Sequence, residues 1–258
     1  MTRCPGPDEK ATIFAPHQDD ETLGCGGTIL QKSALGTPVH LVFMTDGSTS
    51  HSRFISQDEL RVLREKEALN AAGILGLHSR QVDFLRFPDG RLGHHHEDAV
   101  TEVRKRLLAH RPAEIFVPYR FDGTTDHEAT YAIVTEALCD IDYGVTLFEY
   151  PIWFWNQWPW VSLPLRLSRE LPKEVARSMR FGLGLTSFRH FSTGTDISKH
   201  LEGKRAALAA HRSQMERLQN EPNWPILSDV SNGQFLECLL DDCEVFRVTH
   251  IPAHSDPA

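Results

Sequence analysis

The chain has no long apolar segment and no excess of positive charge. None of its 258 residues lies in a run that approaches about 18 uninterrupted apolar residues, so the sequence predicts no membrane-spanning helix. The N-terminal segment also lacks the apolar core of a secretory signal peptide. With 27 Lys and Arg against 35 Asp and Glu, the formal net charge is −8. Nucleic-acid-binding proteins usually present a basic face, so nucleic acid is not expected as the main partner.

Cysteine is sparse and shows no pairing pattern. The five cysteines are scattered, odd in number and free of any CxxC pair. They are Cys4, Cys25, Cys139, Cys238 and Cys243. This usage suits a reducing cytoplasm better than a disulfide framework, so we expect a cytoplasmic protein. The chain also lacks internal repeats and low-complexity segments, and its 40% apolar and 24% charged residues are ordinary for a globular protein.

Short apolar runs alternate with helix-like stretches over residues 1–150. The runs typical of buried strands are 12–15, 39–44, 82–87, 114–117 and 145–150. The helix-like stretches between them are 22–35, 58–75, 97–110 and 128–140. This alternation predicts an α/β fold, Rossmann-like, with a mostly parallel sheet and helices on both faces.

The alternation ends after Tyr150. The segment 151–160 holds four of the five tryptophans, which either close one end of the core or line a pocket; packing is the favoured interpretation. Further on, 196–218 reads as one long helix with Ile197, Leu201 and Leu208 on one face. We predict a single domain over residues 1–258, with a core at about 11–150 and a C-terminal elaboration at about 151–253.

The segment 12–27 carries the most informative chemistry. The apolar run Ile13-Phe14-Ala15 stops at Pro16, and His17, Asp19 and Asp20 follow at a strand-to-helix turn. Sites in open α/β sheets are built at such turns. One imidazole and one carboxylate there can ligate a divalent metal, which leaves a second carboxylate for proton transfer.

A second turn of the same kind supplies the missing ligand. Asp126-His127 follows the strand-like run 114–117 and precedes a helix-like run. A His/Asp/His set from two turns leaves a tetrahedral metal one open position for water. Bound Zn²⁺ lowers the pKa of such a water to about 7.

The segment from His17 to Gly27 resembles the signature of the PIG-L/LmbE family of zinc-dependent N-deacetylases, which usually has Pro where this chain has Gln18. Further matches follow in the family's order. They are Met44-Thr45-Asp46-Gly47, Arg64 with Glu67, Phe87 to Leu92, Asp126-His127 and Ala207 to Gln214. The resemblance covers roughly residues 11 to 218.

The resemblance implies the roles of the site residues. His17, Asp20 and His127 hold Zn²⁺, or another divalent metal such as Fe²⁺, and Asp19 is the general base. The substrate is a small N-acylated amino sugar or related conjugate, from which the acyl group, most simply acetyl, is hydrolysed. The resemblance makes the loop 46–57 a substrate-binding element that folds over the pocket. The candidate substrate contacts are Ser48 and Arg53 on that loop, Asp89, Thr124 and Asp126.

The chain departs from the family at Thr124, where the family often has a histidine that assists at the tetrahedral intermediate. Either the metal alone stabilises the oxyanion or another group substitutes. The run His94-His95-His96 is a weak candidate for that role. The sequence does not indicate an oligomeric state.

Simpler interpretations exist for several of these residues. Asp19, Asp20 and Glu21 also suit the N-terminus of a helix, where acids interact well with the helix dipole. Asp46 is expected to be an ordinary turn residue and His211 a structural one. The rival function is a non-hydrolytic nucleotide-binding module that holds phosphate on Gly24 to Gly27. The spacing is GxGG rather than GxGxxG, so close packing on the sheet is the favoured role of these glycines.

Overall fold

The computed structural model describes residues 4–157, 159–162 and 190–253. These residues form one sheet of seven strands in the order β3-β2-β1-β4-β5-β7-β6. The strands are β1 (Ala11–Ala15), β2 (Val39–Thr45), β3 (Val82–Phe87), β4 (Glu114–Pro118), β5 (Val145–Tyr150), β6 (Thr193–Asp196) and β7 (Cys243–Ile251). The first five strands are parallel, whereas β7 is antiparallel to β5 and to β6. The predicted α/β, mostly parallel sheet is confirmed.

Helices cover both faces of the sheet. They are α1 (Asp20–Ala34), α2 (Gln57–Ile74), α3 (His96–His110), α4 (Thr125–Ala137), α5 (Leu201–Ala210), α6 (Arg212–Met215) and α7 (Gln234–Leu239). Successive strand residues point to opposite faces. Ile13 therefore packs in a core with Ile29 of α1 and Leu208 of α5, while its neighbour Phe14 packs in a second core with Val103 of α3 and Ile133 of α4.

The prediction of one long helix over 196–218 is wrong. Asp196 ends β6, and α5 begins only at Leu201 and ends at Ala210. His211 interrupts the helix with φ −80° and ψ 61°, and α6 begins at the next residue. The side chain of His211 is buried against α1. A tertiary contact therefore overrides the local helix preference of this segment.

The aromatic segment after β5 both packs and faces a cavity. Trp153 stacks on Phe235 of α7 with ring centroids 5.0 Å apart, and Trp155 meets Trp160 edge-on at 4.8 Å. Trp153 also lines a cavity of about 340 Å³. The favoured interpretation, packing, is confirmed for Trp153, Trp155 and Trp160, and the pocket interpretation holds for Trp153. Trp158 lies outside the described residues.

The glycines of α1 are packing positions. A Cβ atom added at Gly24 would lie 2.4 Å from the Tyr150 ring, and one at Gly27 would lie 2.5 Å from Ile197. Side chains larger than hydrogen would push α1 away from the sheet and from the segment that leads into α5. The predicted close packing is confirmed, and the glycines lie inside the helix rather than in a loop that could cradle phosphate.

The C-terminal elaboration extends the sheet of the core, because β7 pairs with β5 along five residue pairs. The single domain over residues 1–258 stays a prediction. Among the described residues, no helix combines the length and the apolar character needed to cross a membrane.

Candidate metal centre

The predicted metal ligands and Asp19 lie at the carboxyl ends of two neighbouring parallel strands. The turn after β1 carries His17, Asp19 and Asp20, and α1 begins at Asp20. The turn after β4 leads into α4, whose first residues include Asp126 and His127. Because β1 and β4 are paired neighbours in the sheet, the two turns lie side by side.

Two imidazoles and one carboxylate converge on a common point. His17 Nδ1 lies 3.2 Å from Asp20 Oδ2, and His127 Nε2 lies 3.2 Å from the same oxygen. The three donor atoms all lie within 4.8 Å of one another. Donors bonded at about 2.0–2.1 Å to a tetrahedral zinc would lie about 3.3 Å apart. The spacing of this His/Asp/His group therefore fits a small divalent cation.

Each imidazole has a buried carboxylate on its far nitrogen. His17 Nε2 lies 3.2 Å from Asp89 Oδ1 and 3.4 Å from Asp126 Oδ2. His127 Nδ1 lies 2.8 Å from Asp122 Oδ2. Carboxylates in these positions fix the tautomer and the ring orientation of metal-binding histidines.

The sequence prediction missed Asp122. Its carboxylate accepts hydrogen bonds from the backbone N–H groups of Ile152, Trp153 and Phe154, at 2.9–3.0 Å. Asp122 is thereby fixed by the segment that follows β5 and in turn faces His127. The only signal in the sequence was its place in the turn between β4 and Asp126-His127.

The electrostatics of the group favour a cation. Burial alone would lower the pKa of His17, but the surrounding carboxylates, that of Asp126 foremost, raise it well above its usual value. Burial opposes the charge of His127 in the same way, yet Asp20 and Asp122 raise the pKa of His127 to about 9. Burial would raise the pKa of Asp20, but the two imidazoles hold it well below its usual range. A divalent cation would find the same negative field that these imidazoles experience.

Asp19 is the carboxylate left over for proton transfer. It is 6% exposed and lines the cavity beside His17 and Asp20. Burial raises the pKa of Asp19 to about 6, with a further contribution from Asp20, while Arg64 opposes the rise. Arg64 Nη2 lies 3.3 Å from Asp19 Oδ1 and donates to the backbone carbonyl of Gln18 at 2.6 Å. Gln18, the departure from the family signature, ties the turn to β2 through its Nε2 and the Thr45 carbonyl, 2.9 Å apart.

A cavity of about 340 Å³ opens over the His/Asp/His group. Its polar lining residues include Thr49, Ser50, His51, Arg64, Asp89, Thr124 and Gln214. Its apolar lining residues are Leu23, Trp153, Pro225, Ile226, Leu227 and Val230.

The loop 46–57 reaches over this cavity, as predicted. His51 Nε2 donates to the Pro225 carbonyl at 2.8 Å, and its ring stacks on Trp224 with centroids 4.5 Å apart. The lining residues of the loop are not the two that the sequence suggested. Ser48 is buried beside Asp46, to whose Oδ1 its backbone N–H donates at 3.1 Å, and Arg53 is exposed.

Of the other three candidate substrate contacts, Asp89 and Thr124 line the cavity and Asp126 does not. Asp89 lines the cavity, and its Oδ2 accepts from the Thr49 backbone and hydroxyl at 2.9 and 2.8 Å. Asp126 is not among the lining residues, and its carboxylate accepts from the Gly90 and Leu92 backbone N–H groups at 2.7 and 3.2 Å. Thr124 lines the cavity, and its buried Oγ1 has no hydrogen-bond partner among the described residues.

The histidine run does not supply a substitute for the absent family histidine. None of the three residues lines the cavity. His96 Nε2 instead lies 2.8 Å from Glu136 on α4, and the His95 ring lies beside Phe87 with centroids 6.0 Å apart.

Comparison with known proteins agrees with the resemblance seen in the sequence. Residues 12–138 match the PIG-L family, described as GlcNAc-PI de-N-acetylase. This segment contains the whole His/Asp/His group and Asp19, and the suspected resemblance is confirmed.

Two relatives match the chain in sequence. It is 31% identical over 137 residues to diacetylchitobiose deacetylase of Thermococcus kodakarensis, a match over 50% of this chain and 49% of that protein. The chain thus matches about half the length of that relative. It is 25% identical over 219 residues to a probable N-acetyl-alpha-D-glucosaminyl L-malate deacetylase 2 of Bacillus anthracis, over 82% of this chain and 92% of that protein.

The solved structures share the fold. N,N'-diacetylchitobiose deacetylase of Pyrococcus horikoshii superposes with a TM-score of 0.62 and 22% identity, over 93% of this chain and 84% of that chain. GalB of Pseudomonas putida, a 4-carboxy-2-hydroxymuconate hydratase, superposes with a TM-score of 0.61 and 15% identity, over 97% of this chain and 99% of that chain. Since one fold serves a deacetylase and a hydratase, the reaction must be argued from the site.

Proposed function

We propose that this chain, whose residues 12–138 belong to the PIG-L family, is a metal-dependent N-deacetylase acting on a small N-acetylated amino-sugar conjugate. The observation that carries the proposal is the convergence of His17, Asp20 and His127 below a cavity that Asp19 also lines. The activities named for the two deacetylase relatives support the substrate class.

The proposed metal ligands are His17 Nδ1, Asp20 Oδ2 and His127 Nε2. Two imidazole nitrogens and one carboxylate oxygen form a donor set that suits Zn²⁺ and also accepts Fe²⁺. When bound there, a divalent cation supplies Lewis acidity toward the amide carbonyl and lowers the pKa of a coordinated water to about 7. Asp89, Asp122 and Asp126 hold the two imidazoles in orientation from behind.

Asp19 is proposed to move the proton. It takes a proton from the attacking water and returns it to the departing nitrogen, so that the amine leaves neutral. A base whose pKa lies at about 6 is largely ionised at neutral pH and still transfers its proton readily. Arg64 keeps the carboxylate turned toward the cavity by its contact with Oδ1.

The polar lining residues of the cavity are proposed to bind the sugar. Asp89 and Thr49 present hydrogen-bonding groups to the cavity beside His17, where sugar hydroxyls would lie. Thr124 Oγ1, which is free to donate, would contribute one neutral hydrogen bond to the oxyanion. Direct substrate contacts of Ser48, Arg53 and Asp126 stay predictions.

The test is acetate release from a panel of N-acetylated amino sugars, including N-acetylglucosamine and diacetylchitobiose. The protein is assayed after removal of metal by a chelator and again after addition of Zn²⁺ or Fe²⁺. We expect no release from the stripped protein and release from the reloaded protein. His96→Ala, which changes a histidine outside the cavity, serves as the control and is expected to behave like wild type. Release that is insensitive to the chelator, or a reloaded protein inert on every substrate, would overturn the proposal.

A further inference from the structure

The backbone of Asp19 has an unusual conformation. Its φ is 139° and its ψ is −27°. The other non-glycine residues with positive φ in the described segments lie between 43° and 58°, in the ordinary left-handed region. A residue as far from that region as Asp19 persists only where its surroundings hold it, and such residues concentrate at functional sites.

A buried glutamate holds the Asp19 peptide. The backbone N–H of Asp19 donates to Glu21 Oε2 at 3.0 Å. Glu21 is fully buried, and its other oxygen accepts from the Thr22 hydroxyl at 2.7 Å. The carboxylate therefore occupies a fixed position between the strained peptide and the interior of the protein.

His211 fixes that glutamate from the opposite side. Its Nε2 lies 3.0 Å from Glu21 Oε1, and His211 is 1% exposed. Nε2 donates this hydrogen bond to the carboxylate oxygen. The contact joins residues 190 positions apart in the chain.

The chain interrupts a helix to make this contact. His211 separates α5 from α6, and its own non-helical backbone turns the imidazole toward α1. The next residues anchor the turn, since the Ser213 backbone and hydroxyl donate to the Glu67 carboxylate of α2 at 2.9 and 2.7 Å. A residue that served only to continue the helix would not need this break.

We propose that Glu21 and His211 are positioning residues that hold Asp19 in its strained, base-competent conformation, an inference that rests on the proposed role of Asp19 as general base. Without the hydrogen bond from His211, the Glu21 carboxylate is held only by Thr22 and by the Asp19 N–H itself, and the Asp19 peptide relaxes toward an ordinary conformation. The carboxylate of Asp19 then leaves its position beside His17 and Asp20. The metal ligands themselves are not part of this chain of contacts.

The test compares His211→Leu with His211→Gln, whose amide nitrogen reaches to about the position of Nε2. The matched control is Lys204→Met, which removes a different buried hydrogen-bond donor, this one within α5. Lys204 Nζ donates to Glu244 at 2.9 Å, and Glu244 in turn binds the backbone of α1 at Gly27, away from Asp19. For each variant, kcat, KM, metal content and the hydrogen exchange of the backbone amides over residues 17–23 are measured.

We expect His211→Leu to lower kcat about 10²-fold, since a displacement of about 1 Å in a catalytic group costs that much. KM and metal content should stay at the wild-type level, and the Asp19 amide should exchange faster. His211→Gln should recover most of kcat and of the amide protection. Lys204→Met should lower the stability of the protein and leave kcat unchanged. Thr22→Val, a nearly isosteric change that removes the second donor to Glu21, should lower kcat in the same direction by a smaller factor, and it serves if His211→Leu does not fold.

Three outcomes would overturn the proposal: equal loss of kcat in His211→Leu and Lys204→Met, no recovery in His211→Gln, or unchanged exchange of the Asp19 amide when the His211 hydrogen bond is removed. The exchange measurement needs no substrate. A protein that hydrolyses no N-acetyl sugar would therefore defeat the proposed function, while the exchange result still decides whether Glu21 and His211 hold Asp19.

Discussion

At the scale of the residue, we expect the environment of Asp19, as the proposed base, to determine the acid side of the pH profile. Burial raises its pKa to about 6, and a base must be ionised to accept a proton. Activity is therefore present above this pKa and is lost as pH falls through it. A bound divalent cation favours the ionised form, so the midpoint should lie at or below about pH 6.

The measurement is kcat/KM against pH on an uncharged N-acetyl sugar at saturating metal. A single-proton fall below about pH 6 is expected for the wild type. The residual activity of Asp19→Asn should show no such fall. An acid-side midpoint well above pH 7, or the same midpoint in Asp19→Asn, would assign the titration to another group.

Thr124 is the second residue with a distinct prediction, because it lines the cavity and its buried hydroxyl has no partner among the described residues. Thr124→Val should lower kcat/KM by about tenfold or less, the value of one neutral hydrogen bond. Thr124→Ser, which keeps the hydroxyl, is the control. A collapse of Thr124→Val to background with full metal content would make Thr124 a principal catalytic group.

At the scale of the element, α1 owes its position to its glycines. An added Cβ at Gly27 would lie 2.5 Å from the Cβ and Cγ2 atoms of Ile197. Gly27→Ala should therefore lower the free energy of unfolding by about 1–3 kcal/mol, the usual cost of overpacking. Gly73→Ala is the matched control, since an added Cβ there meets nothing within 4 Å and alanine favours the helix by about 1 kcal/mol.

Urea unfolding of the two variants measures these changes in the free energy of unfolding. Gly27→Ala should unfold at lower urea than the wild type, and Gly73→Ala at the same or higher urea. If both alanines were tolerated equally, the close contact between α1 and Ile197 would not be a constraint on the fold.

The elements predicted correctly from the sequence are those whose pattern is local. The five parallel strands and the four helices between them follow from short apolar runs and helical spacing, with starts that differ by a few residues. The prediction of one helix over 196–218 was wrong because contacts with α1 set the positions of Ile197 and His211, and no local sequence pattern reveals those contacts. β6 and β7 were not predicted. In the case of β6, the strand is a four-residue edge strand that contains glycine, which is depleted in strands.

At the scale of the whole molecule, the sheet brings distant turns together. His17, Asp20 and His127 could be predicted as one group because the carboxyl ends of parallel strands meet at one edge. Asp122 and His211 could not, since their roles depend on contacts with the segment after β5 and with α1. The sequence also could not show whether Ser48 and Arg53 line the cavity, because this depends on the course of the loop 46–57.

In the proposed mechanism, His17, Asp20 and His127 bind the metal and Asp19 acts as the base. The most direct test is the metal content and the kcat of Asp19→Asn and His127→Ala, measured side by side with the wild type. Asp19→Asn should keep about one divalent metal per chain and lose activity about 10²-fold or more. His127→Ala should lose both metal and activity. Equal metal loss in the two variants, or full metal occupancy in His127→Ala, would contradict the account.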